Sequence, residues 1–298
     1  NSVTNIGDYA FNGCSNLTSI EIPNSVTSIG GGAFKGCSAL TSIEIPNSVT
    51  SIGESAFKSC SSLESITLPF VGNGSDETHF GYIFGASSSS NNSSYVPASL
   101  KSVTITGGTS IGNYAFDGCS KLTSIVIPSS VTSIGYSAFR DCSKLTSIVI
   151  SNGVTRIEDR AFESCPLLTS VKIPSSVTSI GNFAFSSCWD LIGVKLSSNV
   201  KSIGDMAFHG CEDLDLVINN TEWNVTVGRY AFQGCKSVTW EIPDKESTGL
   251  QFEVSDTTAT VVKGDYSKLD SVFIPSKVKI NGSVYTVTGI ANNAFSNY

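Results

Sequence analysis

Charge is scarce in this chain. Asp, Glu, Lys and Arg make up 14% of its 298 residues, with 18 basic against 25 acidic side chains and a net charge of -7. A protein that grips a phosphate backbone would show a basic stripe, so nucleic-acid partners are excluded. Histidine is almost missing, at two residues, His79 and His209. G-x-S-x-G, H-E-x-x-H and phosphate-binding glycine loops are absent, and so is C-x-x-C despite nine cysteines. No catalytic residue, cofactor or metal site is therefore expected. An unmotivated carboxylate pair is the catalytic arrangement left open. Runs of 18 or more apolar residues are lacking too, so no membrane-spanning helix is expected. No signal peptide is visible. The chain opens mid-repeat at Asn1 and stops at Tyr298, just after Ala294-Phe295. Both ends are expected to be cuts within a longer protein, with an export signal or wall anchor in the missing parts.

What fills the chain is one motif, S-V-T-S-I-G-x-x-A-F-x-x-C-x-x-L-T-S-I-x-I-P. Its cysteines fall at Cys14, Cys37 and Cys60, at Cys119, Cys142, Cys165, Cys188 and Cys211, and at Cys235. Where the register is unbroken the step is 23 residues. A fixed period of this size predicts a stacked solenoid, in which each unit buries its apolar face against its neighbours. Leu17, Ile20 and Ile22 predict a short strand closed by Pro23. Val26 to Ile29 predicts a second short strand, rich in β-branched residues, and Gly30 breaks it. Ala33, Phe34 and Cys37 recur at i, i+1 and i+4, which fits one helical turn facing inward. The expected fold is an α/β repeat solenoid of strand, turn, strand and helical turn, with a parallel sheet along one face. Right-handed coiling follows from the preference of parallel crossovers. The cysteines should line up about 4.8 Å apart. Their parallel side chains do not suit disulfides, and each reads as a small buried hydrophobe.

Two stretches break the period. The gap between Phe57 and Phe116 reads as a decorated repeat at about 70–110, with Phe84 standing in for the A-F phenylalanine. Beyond 242, residues 243–268 read as a β-hairpin interruption turning at Ser255-Asp256-Thr257. Residues 269–298 read as a truncated restart of the repeats, with Asn281-Gly282 as a tight turn. The solenoid proper is expected over 1–242.

These motifs resemble the BspA-like, or Treponema pallidum type, leucine-rich repeats. That family pairs L-x-x-I-x-I-P with I-G-x-x-A-F-x-x-C, as nine close copies do here. The likeness covers residues 1–243 and again 269–298. It implies a leucine-rich repeat on the surface of a bacterium or parasite, and adhesion to host proteins, matrix or other cells. It supplies no ligand and no fixed binding residues.

Candidate contacts come from the repeat geometry instead. In L-x-x-I-x-I the residue between the last two apolar positions points outward. Along the stack this row reads Glu21, Glu44, Thr67, Thr104, Val126, Val149, Lys172 and Lys195. It runs from acidic through neutral and apolar to basic. Such a stripe either orients a charged partner or records drift among solvent positions. The decorated repeat offers His79, Tyr82 and Tyr95 beside Phe80 and Phe84. These aromatics either hold a protein or glycan or simply plug the enlarged coil. His209 follows Phe208 at a position that accepts both charge signs and is expected to be exposed. The composite expectation is a non-catalytic, monomeric, extracellular or cell-surface protein binding a protein or glycan on host or neighbouring cells. A structural stalk presenting another module is the alternative.

Overall fold

The computed structural model describes residues 2–74, 79–219, 225–240, 250–264, 277–281 and 283–295. The L-T-S-I-x-I segments stack into one nine-stranded sheet, with strands at Ser42–Glu44, Ser65–Leu68, Ser102–Ile105, Ser124–Val126, Ser147–Val149, Ser170–Lys172, Gly193–Leu196, Asp215–Ile218 and Ser237–Trp240. Every pairing in it is parallel and in register, Ile148 facing Ile125 and Val171, for example. The S-I pairs form a second face. It has three strands from Asn5 to Ile52 and six from Ser110 to Val227, and the decorated repeat separates the two parts. The nine-stranded sheet crosses the decorated repeat without a break, Ser65–Leu68 pairing directly with Ser102–Ile105.

The third face carries A-F-x-x-C, and here the expected helical turn is absent. Ala33, Lys35 and Cys37 donate their amides three residues back, to Gly30, Gly32 and Phe34. The amides between them go forward instead. Gly32, Phe34 and Gly36 donate to Glu54, Ala56 and Lys58 of the next coil at 3.0, 2.8 and 2.8 Å. A helix needs all of these donors for itself, so it cannot form while half of them bind a neighbour. The backbone manages the alternation by entering the left-handed region twice per coil, at Gly32 (φ 60°) and Gly36 (φ 74°). Ser137, Arg160, Phe183 and Met206 adopt the first of these positions without being glycine. Among the described residues the one α-helix is Asn92–Tyr95, in the decorated repeat.

The core is a set of columns. Phe34, Phe57, Phe116, Phe139, Phe162, Phe185 and Phe208 are fully buried. Successive rings from Phe116 to Phe208 stack with centroids 5.1–5.3 Å apart and planes within 8°. Offset stacking of this kind adds about 0.5–1.5 kcal/mol per pair beyond burial. The cysteines are free, and those from Cys37 to Cys211 are buried. They do more than fill space. Each thiol from Cys142 to Cys211 donates to the carbonyl of the phenylalanine one coil back, as Cys165 does to Phe139 at 3.1 Å. Burial pushes their pKa up, to about 12 for Cys60 and about 11 for Cys235. They stay protonated and keep the donor.

Surface hydroxyls follow the same rule. Thr146 and Thr169 donate to the carbonyls of Thr123 and Thr146 at 3.2 and 3.1 Å, and Thr27, Thr132 and Thr178 do likewise on the second face. At the corner after the second strand, Asp159 and Asn182 each accept the amide one coil on, from Asn182 and Asp205, at 2.7 Å. The Ser- and Thr-rich surface is thus tied to the backbone it covers.

The hairpin at Phe252–Ser255 and Thr258–Val261 is antiparallel, with Asp256 at its tip in a left-handed conformation (φ 49°). Lys277–Ile280 and Ser283–Ile290 form a second antiparallel pair. Its long strand lies parallel to Thr258–Val261, so all four strands share one sheet. Leu250, Val261 and Ala294 make a small apolar cluster there. The start of the expected restart, residues 269–276, lies outside the described residues, as does Gly282.

Two outcomes follow from this packing. In the folded protein a thiol reagent should modify Cys14, the exposed cysteine, ahead of Cys37 to Cys211, which should react only after denaturant is added. Fast labelling of more than two thiols in native buffer, read by mass spectrometry, would contradict the packing. Second, a Cβ on Gly181 would lie 2.4 Å from the Asp159 amide nitrogen, whereas one on Gly193 would meet nothing within 4 Å. Gly181→Ala should lose about 1–3 kcal/mol by overpacking. Gly193→Ala should be neutral or up to about 1 kcal/mol stabilising. Denaturant melts of the two variants distinguish the coils' close approach from a general need for glycine.

Candidate binding surface

The nine-stranded sheet turns one side to the core and the other to solvent. Along Ser147–Val149 the burial alternates exposed, buried, exposed, which puts Ser147 and Val149 outside and Ile148 inside. The outward residues stand in direct register. Glu44 faces Thr67, Thr67 faces Thr104, Thr104 faces Val126, Val126 faces Val149, and Val149 faces Lys172. Lys195 follows on the next strand, where Ser170 pairs with Gly193 two residues earlier. At a strand spacing of about 4.8 Å these side chains form one continuous file. Val126 and Val149 are 51% and 65% exposed, which is unusual for valines on an ordered strand. The file continues past the residues legible as copies, to Val217 and Thr239. Those two were missed because D-L-V-I and S-V-T-W depart from the L-T-S-I wording, although they keep the alternation.

Glu21 needs a correction. Residues 18–22 carry no strand, so Glu21 is not part of the sheet. The bond that would extend the ladder there, from the Thr41 amide to the Thr18 carbonyl, is stretched to 3.5 Å. Glu21 stays exposed and meets Glu44 across a shallow depression of about 490 Å³, lined also by Ser42, Ile43, Pro23 and Pro46. The acidic end of the file is therefore a concavity rather than a flat strand pair.

The decorated coil solves a packing problem. The backbone amide of Phe57 binds the Ile83 carbonyl, so Phe84 takes the next place in the phenylalanine column, as its spacing suggested. Phe80 takes a place as well, its amide donating to Ala115 and its ring lying 5.0 Å from Phe116. Two rings thus fill the enlarged coil, packed edge to face at 5.3 Å. Tyr82 is half-buried against the core, and Tyr95 is exposed, with the Lys58 ammonium 5.9 Å from its ring. His79 is half-buried and does not face solvent freely. Its Nδ1 lies 2.7 Å from Oδ1 of Asn92. Burial lowers its pKa, opposed by that hydrogen bond. Asn92 is fully buried, accepts the Gly81 amide and donates to the Asp117 carbonyl at 2.8 Å. Asn92 was not singled out from sequence, because it lies in a run of Ser and Asn that reads as flexible loop. Of the aromatic candidates, Phe80, Tyr82 and Phe84 serve as packing, and Tyr95 alone presents an exposed ring. His79, Tyr82 and Tyr95 stand on the decorated coil and do not join the sheet file. His209 is half-buried rather than exposed; its backbone carbonyl accepts the Ser187 amide and its own amide donates to Met206. No group of three or more His, Cys, Asp or Glu able to hold a metal occurs among the described residues. None of their helices is long and apolar enough to cross a membrane.

A family model for the BspA type leucine rich repeat region matches residues 1–104 and 109–239. The chain belongs to the BspA-type leucine-rich repeat family. No curated protein matches it. Among solved structures, a leucine-rich repeat protein from Bacteroides ovatus is similar at 24% identity, over 94% of this chain and 84% of that one, with a TM-score of 0.39. The leucine rich repeat protein of T. pallidum aligns at 26% identity, over 74% of this chain and 75% of its own, with a TM-score of 0.31. A leucine rich cell surface protein from Faecalibacterium prausnitzii aligns at 26% identity, over 80% and 83% of the two chains, with a TM-score of 0.29. The decorated coil of this BspA-type chain offers a direct test. Asn92→Ala leaves the Gly81 amide and the Asp117 carbonyl buried without partners, and should lower stability by about 1–3 kcal/mol. Ser94→Ala, on the exposed side of the same short helix, should change it by less than about 0.5 kcal/mol. Equal effects in thermal melts would show that Asn92 does not staple the coil.

Proposed function

We propose that this BspA-type chain is a non-catalytic recognition module at a cell surface. It contacts a protein or glycan on host or neighbouring cells through the outward file of the nine-stranded sheet. One observation carries the reading: the file changes from Glu44 through Val126 and Val149 to Lys172 and Lys195, while the buried columns beneath it stay constant. A rigid row with an acidic end, an apolar middle and a basic end fixes both the orientation and the register of a partner with the reverse pattern. The exposed valines supply contact area that desolvates cheaply, and the flanking serines supply adaptable hydrogen bonds. The acidic depression at Glu21 and Glu44 gives the file a shaped end, suited to a basic group on the partner. The description of one similar structure as a cell surface protein supports the location. A stalk is the second reading, favoured by the uniform hydroxyl and amide ladders, which stiffen the solenoid whatever it displays.

The test is binding of the chain to immobilised matrix proteins and to epithelial cells. It is run beside a variant with Glu21→Gln, Glu44→Gln, Lys172→Gln and Lys195→Gln. Saturable binding that weakens about tenfold or more in the variant, and that declines with added salt, is the expected result. Binding that survives the four changes moves recognition to the decorated coil around Tyr95. Absence of binding in both proteins supports the stalk.

A further inference from the structure

A second column carries a charge pattern that the ligand-binding proposal does not use. It lies at the corner where each coil enters the sheet, at the residue just before the buried leucine that opens each strand segment, from Leu17 to Leu214. Ladder bonds stack its coils, from the Asp190 amide to Pro166 at 3.0 Å and from the Asp213 amide to Trp189 at 3.4 Å. In chain order the position holds Asn16, Ala39, Ser62 and Ser99, and then Lys121, Lys144, Leu167, Asp190 and Asp213. The last five span about 19 Å at strand spacing. Their centre is apolar and open: Leu167 is 42% exposed, and beside it Trp189 and Ile192 are 54% and 56% exposed. At the acidic end Glu212 is exposed next to Asp213, and the cation beside them, Lys236, is taken up by Asp215 at 2.8 Å; Lys144 is exposed at the basic end.

This order is antisymmetric about Leu167. A two-fold axis through Leu167, perpendicular to the column, sets a second copy antiparallel to the first. Lys121 then meets the second copy's Asp213, and Lys144 meets its Asp190. Each charge finds its opposite, while Leu167 meets Leu167 of the other chain on the axis and Trp189 and Ile192 of each copy close over it from the coil next to it. Such self-complementarity is what an isologous dimer requires. A parallel partner of the same sequence would put Lys on Lys and Asp on Asp. We infer that this corner is a self-association surface, and that two copies of the chain pair antiparallel through it. The contact is a narrow strip, smaller than the roughly 800 Å² per partner of a standard interface. The dimer is accordingly weak, with a dissociation constant of about 0.1 mM. It departs from the monomer expected from the repeat pattern, and it stands or falls independently of any host ligand.

Sedimentation velocity from roughly 10 μM to roughly 1 mM covers the relevant range. The weight-average mass should rise from 31.3 kDa toward twice that value, and rise less in high salt. Lys144→Asp should weaken association about tenfold, and Trp189→Ser should do the same. Adding Asp190→Lys to Lys144→Asp should restore it, because the exchanged pair again meets its opposite across the axis. Circular dichroism and melting temperature report whether each variant is folded, and the salt dependence of the unaltered protein needs no variant. A mass fixed at one chain throughout overturns the inference. So do dimers that ignore Lys144→Asp or salt, or an exchange in a folded variant that fails to restore pairing.

Discussion

The interaction on which everything else depends is the backbone hydrogen bond from one coil to the next. At the short S-I strands the flanking amides donate backward, as from Thr50 to Thr27 and from Gly181 to Ile157; the nine-stranded sheet donates both ways, as from Thr146 back to Thr123 and from Ile45 forward to Thr67; and on the A-F-x-x-C face the bond runs forward, as from Phe139 to Ala161. Each coil is therefore held on three sides at a fixed offset of one repeat. A slip of one residue would break every such bond and turn Ile148 and Val149 inside out. Register is the constraint, and the columns are its consequence. Phenylalanine stacks on phenylalanine because the backbone places them about 5 Å apart. Cysteine persists because a small thiol both fills its site and donates to the carbonyl of Phe one coil back. Glycine persists after the second strand because neighbouring backbones approach closely there. Glu158 occupies that column once, and its ladder bond to Ile134, at 3.1 Å, is longer than the 2.8 Å of Gly181 to Ile157.

This division explains where variation is free. A buried column is judged by neighbours on both sides, so a change in one copy must fit two others. An outward column is judged only by solvent and by partners. The sheet file and the corner column are thus two outward places where charged and apolar side chains replace the Ser, Thr and Asn common on this surface. Both carry an ordered sequence of charge rather than alternating signs. Ordered charge on a rigid lattice has a direction, and direction is what distinguishes a partner docked one way from the same partner docked the other way.

How much of this was legible in the sequence follows from the same logic. The period, the parallel sheet, the inward Leu and Ile and the outward file were legible because each is repeated, and repetition averages away local noise. The helical turn was misread because Ala33, Phe34 and Cys37 have helical spacing, and spacing alone does not say where the amides go. The signal against it was present: Gly32 and Gly36 bracket Ala33-Phe34, and glycine twice within five residues suits a left-handed backbone better than a helix. Glu21 shares the wording of a strand but not the ladder, since a strand is defined by its neighbour. The hydroxyl ladders were invisible because Ser and Thr read equally well as solvated surface. Asn92 and Trp189 occur once each, and a residue without copies gives periodicity nothing to amplify.

The decorated coil shows how strict the register is. Its insertion could have been absorbed by letting the sheet or the aromatic column lapse. Neither does. Ser65–Leu68 meets Ser102–Ile105 with the same residue-for-residue pairing as undecorated neighbours. The column gains a second ring, so that Phe84 packs on Phe57 and Phe80 on Phe116. What lapses is the second face, where the short S-I strands divide into sets of three and six. Those strands contribute two residues each, against three or four in the main sheet, and lose least when interrupted. The extra chain then needs its own anchor, and Asn92 supplies three hydrogen bonds from one buried side chain. The chain thus tolerates a long insertion at the place where the fewest inter-coil bonds are at stake. The sheet beneath the outward file keeps its spacing through the insertion, so Thr67 and Thr104, 37 residues apart in sequence, remain adjacent on the surface.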